Sequence, residues 1–198
     1  MLWFVAGING TGKSTISCDP LLLAFMGVPA VVNPDEIARE IARTKGVEYR
    51  LANLSAAIIT QSMMFSEAVL SETPAVAMET VLSTDKYNPV LDIAEQRRIQ
   101  VGLVYVSVRS VDLTLHRIKS RVAAGLHDVP EDTVRARWPK TLKNCAYWAT
   151  RVDRLIVLAN NYSDGRPVLV ARKLGKAGAI EILDREELPE LIALLGKS

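Results

Sequence analysis

Residues 7 to 14 read Gly-Ile-Asn-Gly-Thr-Gly-Lys-Ser, the spacing at which backbone amides, one lysine and one hydroxyl can gather around a triphosphate. Gly7, Gly10 and Gly12 let the chain close tightly, so that successive N–H groups can converge on phosphate oxygens with no Cβ in the way. Lys13 can reach the β- and γ-phosphates as a point charge, and Ser14 can offer its hydroxyl to Mg²⁺. Asn9, Thr11 and Thr15 complete the stretch expected to hold the nucleotide. The apolar run Leu2-Trp3-Phe4-Val5-Ala6 directly precedes this loop and a helical pattern follows it. Strand, loop and helix in that order aim the positive end of the helix at the anion. The implied ligand is ATP or GTP with Mg²⁺. The loop leaves open whether that triphosphate is a phosphoryl donor, a switch or a fuel.

Two carboxylates stand where apolar runs end. Asp35 follows Ala30-Val31-Val32-Asn33-Pro34 and precedes Glu36-Ile37-Ala38-Arg39. An Asp in that position can cap a helix, or it can face the substrate and accept the proton of an attacking hydroxyl. Glu79 closes Ala75-Val76-Ala77-Met78. An apolar strand ending in an acid suits a second nucleotide-binding element that helps hold Mg²⁺, directly or through water. Glu79 can equally bind an acceptor hydroxyl, or form an ion pair at the surface. Asn33 and Thr80 share these strand ends, Asn33 as a candidate for binding the acceptor.

Cations concentrate between Arg117 and Lys143: Arg117, Lys119, Arg121, Arg135, Arg137, Lys140 and Lys143. The segment Gly125-Leu126-His127-Asp128-Val129-Pro130 interrupts the helical pattern between them. Two basic helices joined by such a turn are expected to form a lid over roughly residues 117–143, bringing guanidinium groups to the transferring phosphoryl and keeping water out. Arg121 and Arg137 are the catalytic candidates on it. His127 reads as a structural or capping residue.

These groups need a scaffold. Short apolar runs alternate with helical patterns, which argues for an α/β fold with a mostly parallel sheet of βαβ units. The five expected strands are Leu2 to Ala6, Ala30 to Asn33, Ala75 to Glu79, Val101 to Val106 and Leu155 to Ala159. Helices are expected over Ser14 to Met26, Asp35 to Arg43, Leu51 to Ser71, Asp85 to Arg97, Val111 to Ala124 and Glu131 to Thr150, with Pro20 kinking the first. Beyond Asn160-Asn161 and Asp164-Gly165, both turn signals, Val168 to Val170 and Ala179 to Leu183 can pair as a hairpin. A last helix spans Glu186 to Leu195. No repeat or linker divides the 198 residues, so one domain is expected, with residues 160–198 as a C-terminal hairpin and helix.

Composition excludes several classes. An apolar fraction of 49% with 23% charged residues fits a globular chain, and a net charge of +2 with few aromatics argues against a nucleic-acid groove. No apolar run reaches the ~18 residues of a membrane span, and with a strand expected at residues 2–6 no signal peptide is expected. A cytoplasmic location is expected. Cys18 and Cys145 are far apart, with no metal-binding spacing, and read as buried thiols.

Gly7 to Thr15, Asn33-Pro-Asp-Glu-Ile-Ala, Glu79-Thr-Val-Leu-Ser, Val104-Tyr-Val and Arg121-Val-Ala-Ala-Gly-Leu-His-Asp-Val-Pro together resemble the zeta-toxin-like family of bacterial phosphate-loop kinases. The similarity runs in order to about Ala159. It implies a three-layer phosphate-loop NTPase fold and a kinase that phosphorylates the sugar 3′-hydroxyl of UDP-N-acetylglucosamine or a similar acceptor. By that likeness Asp35 is the catalytic base, Glu79 and Thr80 belong to the sugar-binding segment, and Arg121 and Arg137 are the lid cations. For true toxin members it also implies an antitoxin partner. This chain departs from the family's usual pattern at Gly125-Leu126-His127 and at Arg137-Trp138-Pro139-Lys140-Thr141-Leu142. Lys140 lacks the bidentate grip of arginine and Pro139 stiffens the segment.

Two other classes fit the loop: an ATP-hydrolysing module, and a nucleotide-binding regulator or nucleic-acid-directed kinase. Against the first, the chain has no Leu-Ser-Gly-Gly-Gln run and no apolar strand ending in Asp-Glu.

Overall fold

Strand β1 (Leu2–Ala6) is buried at all five positions because it has a strand on either side and packed residues on both faces. The computed structural model describes residues 1–66, 75–123, 128–162 and 166–196. In it, β1 pairs in parallel with β3 (Val76–Thr80) and β4 (Val101–Ser107). Beyond them lie β2 (Val31–Val32) against β3 and β5 (Arg154–Ala159) against β4, both parallel. Alternate residues of β1 serve opposite faces. Leu2, Phe4 and Ala6 join one apolar cluster, while Trp3 and Val5 join another. That split produces three layers, helix, sheet and helix.

The helices are α1 (Lys13–Ile16), α2 (Pro20–Met26), α3 (Pro34–Lys45), α4 (Tyr49–Phe65), α5 (Asn88–Gln96), α6 (Val111–Ala123), α7 (Glu131–Arg151) and α8 (Pro189–Leu195), with a 3₁₀ turn at Asp85–Tyr87. Helix α7 lies on the sheet along most of its length, burying Val134, Trp138, Leu142, Cys145 and Trp148. The Trp148 ring meets Phe4 of β1 edge-on, with centroids 4.9 Å apart. Cutting such a buried aromatic back to alanine costs about 3–5 kcal/mol.

The α/β, mostly parallel architecture is the expected one, with four informative differences. The hairpin is not an appendage. Strand β6 (Val168–Leu174) pairs antiparallel with β5, and β7 (Glu181–Ile182) with β6, extending the sheet to seven strands in the order β2-β3-β1-β4-β5-β6-β7. The connection from β5 to β6 is too short for the crossover that parallel pairing requires. Second, the single helix expected over Ser14 to Met26 is two helices. The first ends at Ile16, and Asp19 caps the second, its carboxylate accepting from the amides of Leu21 and Leu22 at 2.8 and 3.1 Å, with Pro20 at the first helical position. Third, Asp35 is not the cap of α3. Asn33 is, its Oδ1 accepting from the Asp35 amide at 3.0 Å. Fourth, Cys18 is exposed, because the break between α1 and α2 lifts it from the core, whereas Cys145 is buried as expected. Residues 67–71 of the long expected helix, the Asp164-Gly165 turn and residues 124–127 of the basic segment, His127 among them, lie outside the described residues.

Candidate active site

Parallel register fixes the first relationship. Val5 and Ala6 stand beside Glu79 and Thr80, and the Gly7 amide donates to the Thr80 carbonyl at 3.2 Å. The end of β3 is thereby tied to the first residue of the phosphate loop. Glu79 is 8% exposed, and its Oε2 accepts from the Ser14 hydroxyl at 3.1 Å and from Asn33 Nδ2 at 3.4 Å. That overturns the surface ion-pair reading of Glu79. One carboxylate joins the phosphate loop to the end of β2.

The loop is braced from the far side by a residue whose sequence context signals only a turn. Asn160, at the end of β5, donates from Nδ2 to the Thr11 carbonyl at 2.9 Å. Gly12 has φ +88°, and a Cβ there would lie 2.3 Å from that same nitrogen. Only glycine allows both the backbone conformation and the amide. Thr11 closes the turn by donating to the Ile8 carbonyl at 2.9 Å.

Lys13 is 9% exposed, and its ammonium donates to the Ile8 carbonyl at 3.4 Å. Burial pushes its pKa below the ordinary lysine range, opposed by the negative charges of Glu79 and Asp35 and reinforced by the positive charges of Arg121 and Arg137. A cation this poorly solvated is prepared to receive an anion. Helix α1, with one turn only, sums few peptide dipoles. Amides and Lys13 must therefore hold most of the phosphate charge.

A cleft of about 670 Å³ opens over the loop and gathers the residues singled out by spacing and position in the sequence. Asn9, Gly10, Gly12, Lys13, Ser14 and Thr15 form its floor, with Asn33, Asp35, Glu79, Thr80, Arg121 and Arg137 on its walls. Gly7 and Thr11 are buried and shape the loop from behind that floor. Strand order sorts the walls. Asn33, Asp35, Glu79 and Thr80 lie on the β2–β3 side, and Arg121 comes from α6 on the β4–β5 side. Asp35, freed from capping, is exposed in the cleft. Its negative charge is felt not only by Lys13 but by Lys86 and by Tyr87, whose phenol is pushed up to about 12, first by burial and then by Asp35.

The basic segment divides. Arg117, Arg121 and Arg137 reach the cleft, and Arg137 donates to Asn9 Oδ1 at 3.3 Å. Lys119 and Arg135 instead pair with Glu131 at 3.5 and 2.9 Å, and Arg135 also with Asp112 at 3.0 Å. Helix α7 also grips the loop after β3. Thr141 donates to the Val81 carbonyl at 2.8 Å and Asn144 to the Leu82 carbonyl at 3.0 Å, where Leu82 takes φ +56°.

The cleft is also lined by Arg39, Lys86, Tyr87, Asn160 and Tyr162, none of which the sequence marks as a site residue, and by Arg117, marked only as a lid cation. Arg39 follows Asp35 by one helical turn, a spacing that could have pointed to it; the others carry no motif.

Among the described residues no cluster of three or more His, Cys, Asp or Glu can hold a metal by itself. The oxygens of Ser14 and Glu79, 3.1 Å apart, are hard donors that would suit Mg²⁺. No helix among the described residues is long and apolar enough to cross a membrane.

Residues 2–146 match the family model of the AAA domain. The chain belongs to that family. Within it the phosphate loop, Asp35, Glu79, Arg121 and Arg137 fall inside the matched stretch, and β5, β6, β7 and α8 fall outside. This AAA-domain chain is 30% identical to an uncharacterised protein of Haemophilus influenzae over 137 residues, 68% of this chain and 90% of that one. In fold it resembles a chain of the AvrRxo1-ORF1:ORF2 complex with ATP, at TM-score 0.70 and 16% identity over 94% of this chain. It spans 61% of that longer chain. It also resembles a chain of the PezAT toxin–antitoxin system of Streptococcus pneumoniae, at TM-score 0.60 and 15% identity, covering 85% of this chain and 70% of that one. The latter likeness agrees with the zeta-toxin-like resemblance of the sequence. At such identities what is shared is the fold.

Proposed function

We propose that this protein is a small-molecule kinase that transfers the γ-phosphoryl of ATP or GTP to a hydroxyl of a nucleotide sugar such as UDP-N-acetylglucosamine. The observation that carries the reading is the position of Asp35: a carboxylate in the cleft of the phosphate loop, close enough to act on Lys13, with helix capping performed by Asn33 instead.

The loop amides and Lys13 bind the triphosphate, with its nucleoside toward the β4–β5 side. The acceptor enters from the β2–β3 side, where Asn33 and Thr80 orient it. Asp35 takes the proton of the acceptor hydroxyl as that oxygen bonds to the γ-phosphorus and the bond to the β-phosphate oxygen breaks, releasing the nucleoside diphosphate. Arg121 and Arg137 lie across the cleft and stabilise the equatorial charge. Ser14 and Glu79 would hold Mg²⁺, which when bound would supply positive charge to offset that of the phosphates. Closure of α6 and α7 as a lid, which keeps water from the donor, belongs to the same reading. So does an antitoxin partner, supported by the toxin–antitoxin assembly of the PezAT relative in fold.

The test is incubation with Mg-ATP and a panel of UDP-sugars and nucleosides, following ADP and the new phosphate ester. Nucleoside diphosphate release that depends on one acceptor class supports the proposal. Hydrolysis indifferent to every acceptor contradicts it and favours an ATPase.

A further inference from the structure

The C-terminal segment outside the AAA-domain match reaches back to the cleft through one carboxylate. Glu187 is 7% exposed, yet it accepts from the Tyr162 hydroxyl at 2.6 Å and from Asn161 Nδ2, and it lies 3.6 Å from the Arg109 guanidinium. Asn161 is fixed twice more, donating to the Glu187 carbonyl at 3.0 Å and accepting from the Arg109 amide at 2.6 Å. The turn that presents Glu187 is itself locked, since Asp184 Oδ1 accepts from the amides of Glu186 and Glu187 at 2.8 and 3.2 Å. It continues into α8, where Glu190 accepts from the Trp138 indole of α7 at 2.9 Å.

The result is an aromatic side chain with an unusual disposition. Tyr162 is 48% exposed and lines the cleft, but its polar end is turned into the protein and held there. Glu187 also keeps the phenol pKa raised, so the O–H remains a donor. Exposed tyrosines ordinarily leave the hydroxyl in water. Arg117, also at the cleft, donates to the Tyr162 carbonyl at 3.3 Å and fixes the backbone beside the ring. A flat ring whose backbone is held by a guanidinium, on the β4–β5 side of a phosphate loop, forms a surface on which a purine can stack.

We propose that Glu187 is a positioning residue for nucleotide binding: it holds Tyr162 and Asn161 in place, so that Tyr162 stacks on the base of the triphosphate whose phosphates occupy the loop. The proposal rests on the reading of that loop as the nucleotide site and is independent of the acceptor. It gives the C-terminal strand pair and helix a function, that of bracing the base wall.

The test compares two probes by calorimetry, Mg-ATP and magnesium tripolyphosphate, which shares the phosphates and lacks the base. Tyr162→Ala weakens Mg-ATP by about tenfold or more, the worth of one base–aromatic stack, and leaves tripolyphosphate within about twofold. Glu187→Ala does the same. Glu187→Gln, which retains an oxygen for the phenol, recovers most of the loss, and Tyr162→Phe, which keeps the ring and cuts the tether, loses part of it. Tyr162→Ala removes a half-exposed ring and leaves Asn161 and Arg109 on Glu187, so it remains informative if Glu187→Ala does not fold. A parallel loss of both probes would reduce the network to a fold staple, and no loss of ATP affinity would remove the base contact; either overturns the proposal. Tyr162→Phe equal to wild type would overturn the positioning role of Glu187. Intact ATP binding without acceptor-dependent turnover strikes the kinase reading alone.

Discussion

The Ser14 hydroxyl and the Glu79 carboxylate, 65 positions apart in sequence, meet at 3.1 Å across the cleft floor. Asn33 joins them with both ends of its amide, donating to Glu79 at 3.4 Å and accepting from the Asp35 amide at 3.0 Å. The phosphate loop, the end of β3 and the start of α3 thus share one hydrogen-bonded group.

Glu79→Gln keeps the shape of this junction and removes its charge. Apparent Mg²⁺ affinity, read from the metal dependence of ATP binding, is expected to fall by about 10–100-fold, the range seen when a metal-orienting group is altered. An unchanged metal dependence would remove Glu79 from the metal site.

Lys13→Met separates binding from stability. The folded pKa of Lys13 lies below its ordinary 10.5 because the charge is buried. Between these two values the unfolded chain binds more protons than the folded one, so wild-type stability rises with pH through that window. Lys13→Met lacks this rise. Without nucleotide it melts about 2–4 °C higher for each ~1 kcal/mol of burial cost relieved. It also loses the thermal shift that ATP gives the wild type. Thermal melts over a pH series with and without Mg-ATP check this; a lower melting point, or a retained ATP shift, would contradict it.

Arg137→Lys retains charge and loses the planar fork. Single-turnover rates are expected to drop by about 10–1,000-fold while ATP affinity changes by less than about threefold, since stabilisation of the moving phosphoryl is realised in the transition state. Equal losses in binding and rate would assign Arg137 to holding ground-state ATP.

Local spacing makes the phosphate loop, the strand-end acids and the mostly parallel sheet legible, because each is written in consecutive residues. Two further local signals lie in the sequence and are easily passed over. Asp19-Pro20 and Asn33-Pro34 both place a capping side chain before a proline at the first helical position. The first explains why α2 starts at Pro20. The second explains why Asp35 is left free for the cleft. Contacts between distant residues are not legible: Asn160 reaches Thr11 across 149 positions, and Tyr162 meets Glu187 only once β6 and β7 have folded back. The joining of the hairpin to β5 follows from the length of a connection, which periodicity does not report.

Whether Asp35 accepts the proton of an acceptor alcohol is tested most directly by Asp35→Asn in a single-turnover assay with Mg-ATP and the acceptor found active for the wild type. The expected rate is lower by about 10²–10⁴-fold, the range of general-base catalysis, with ATP affinity within about twofold of wild type. Turnover undiminished in Asp35→Asn would contradict the general-base role.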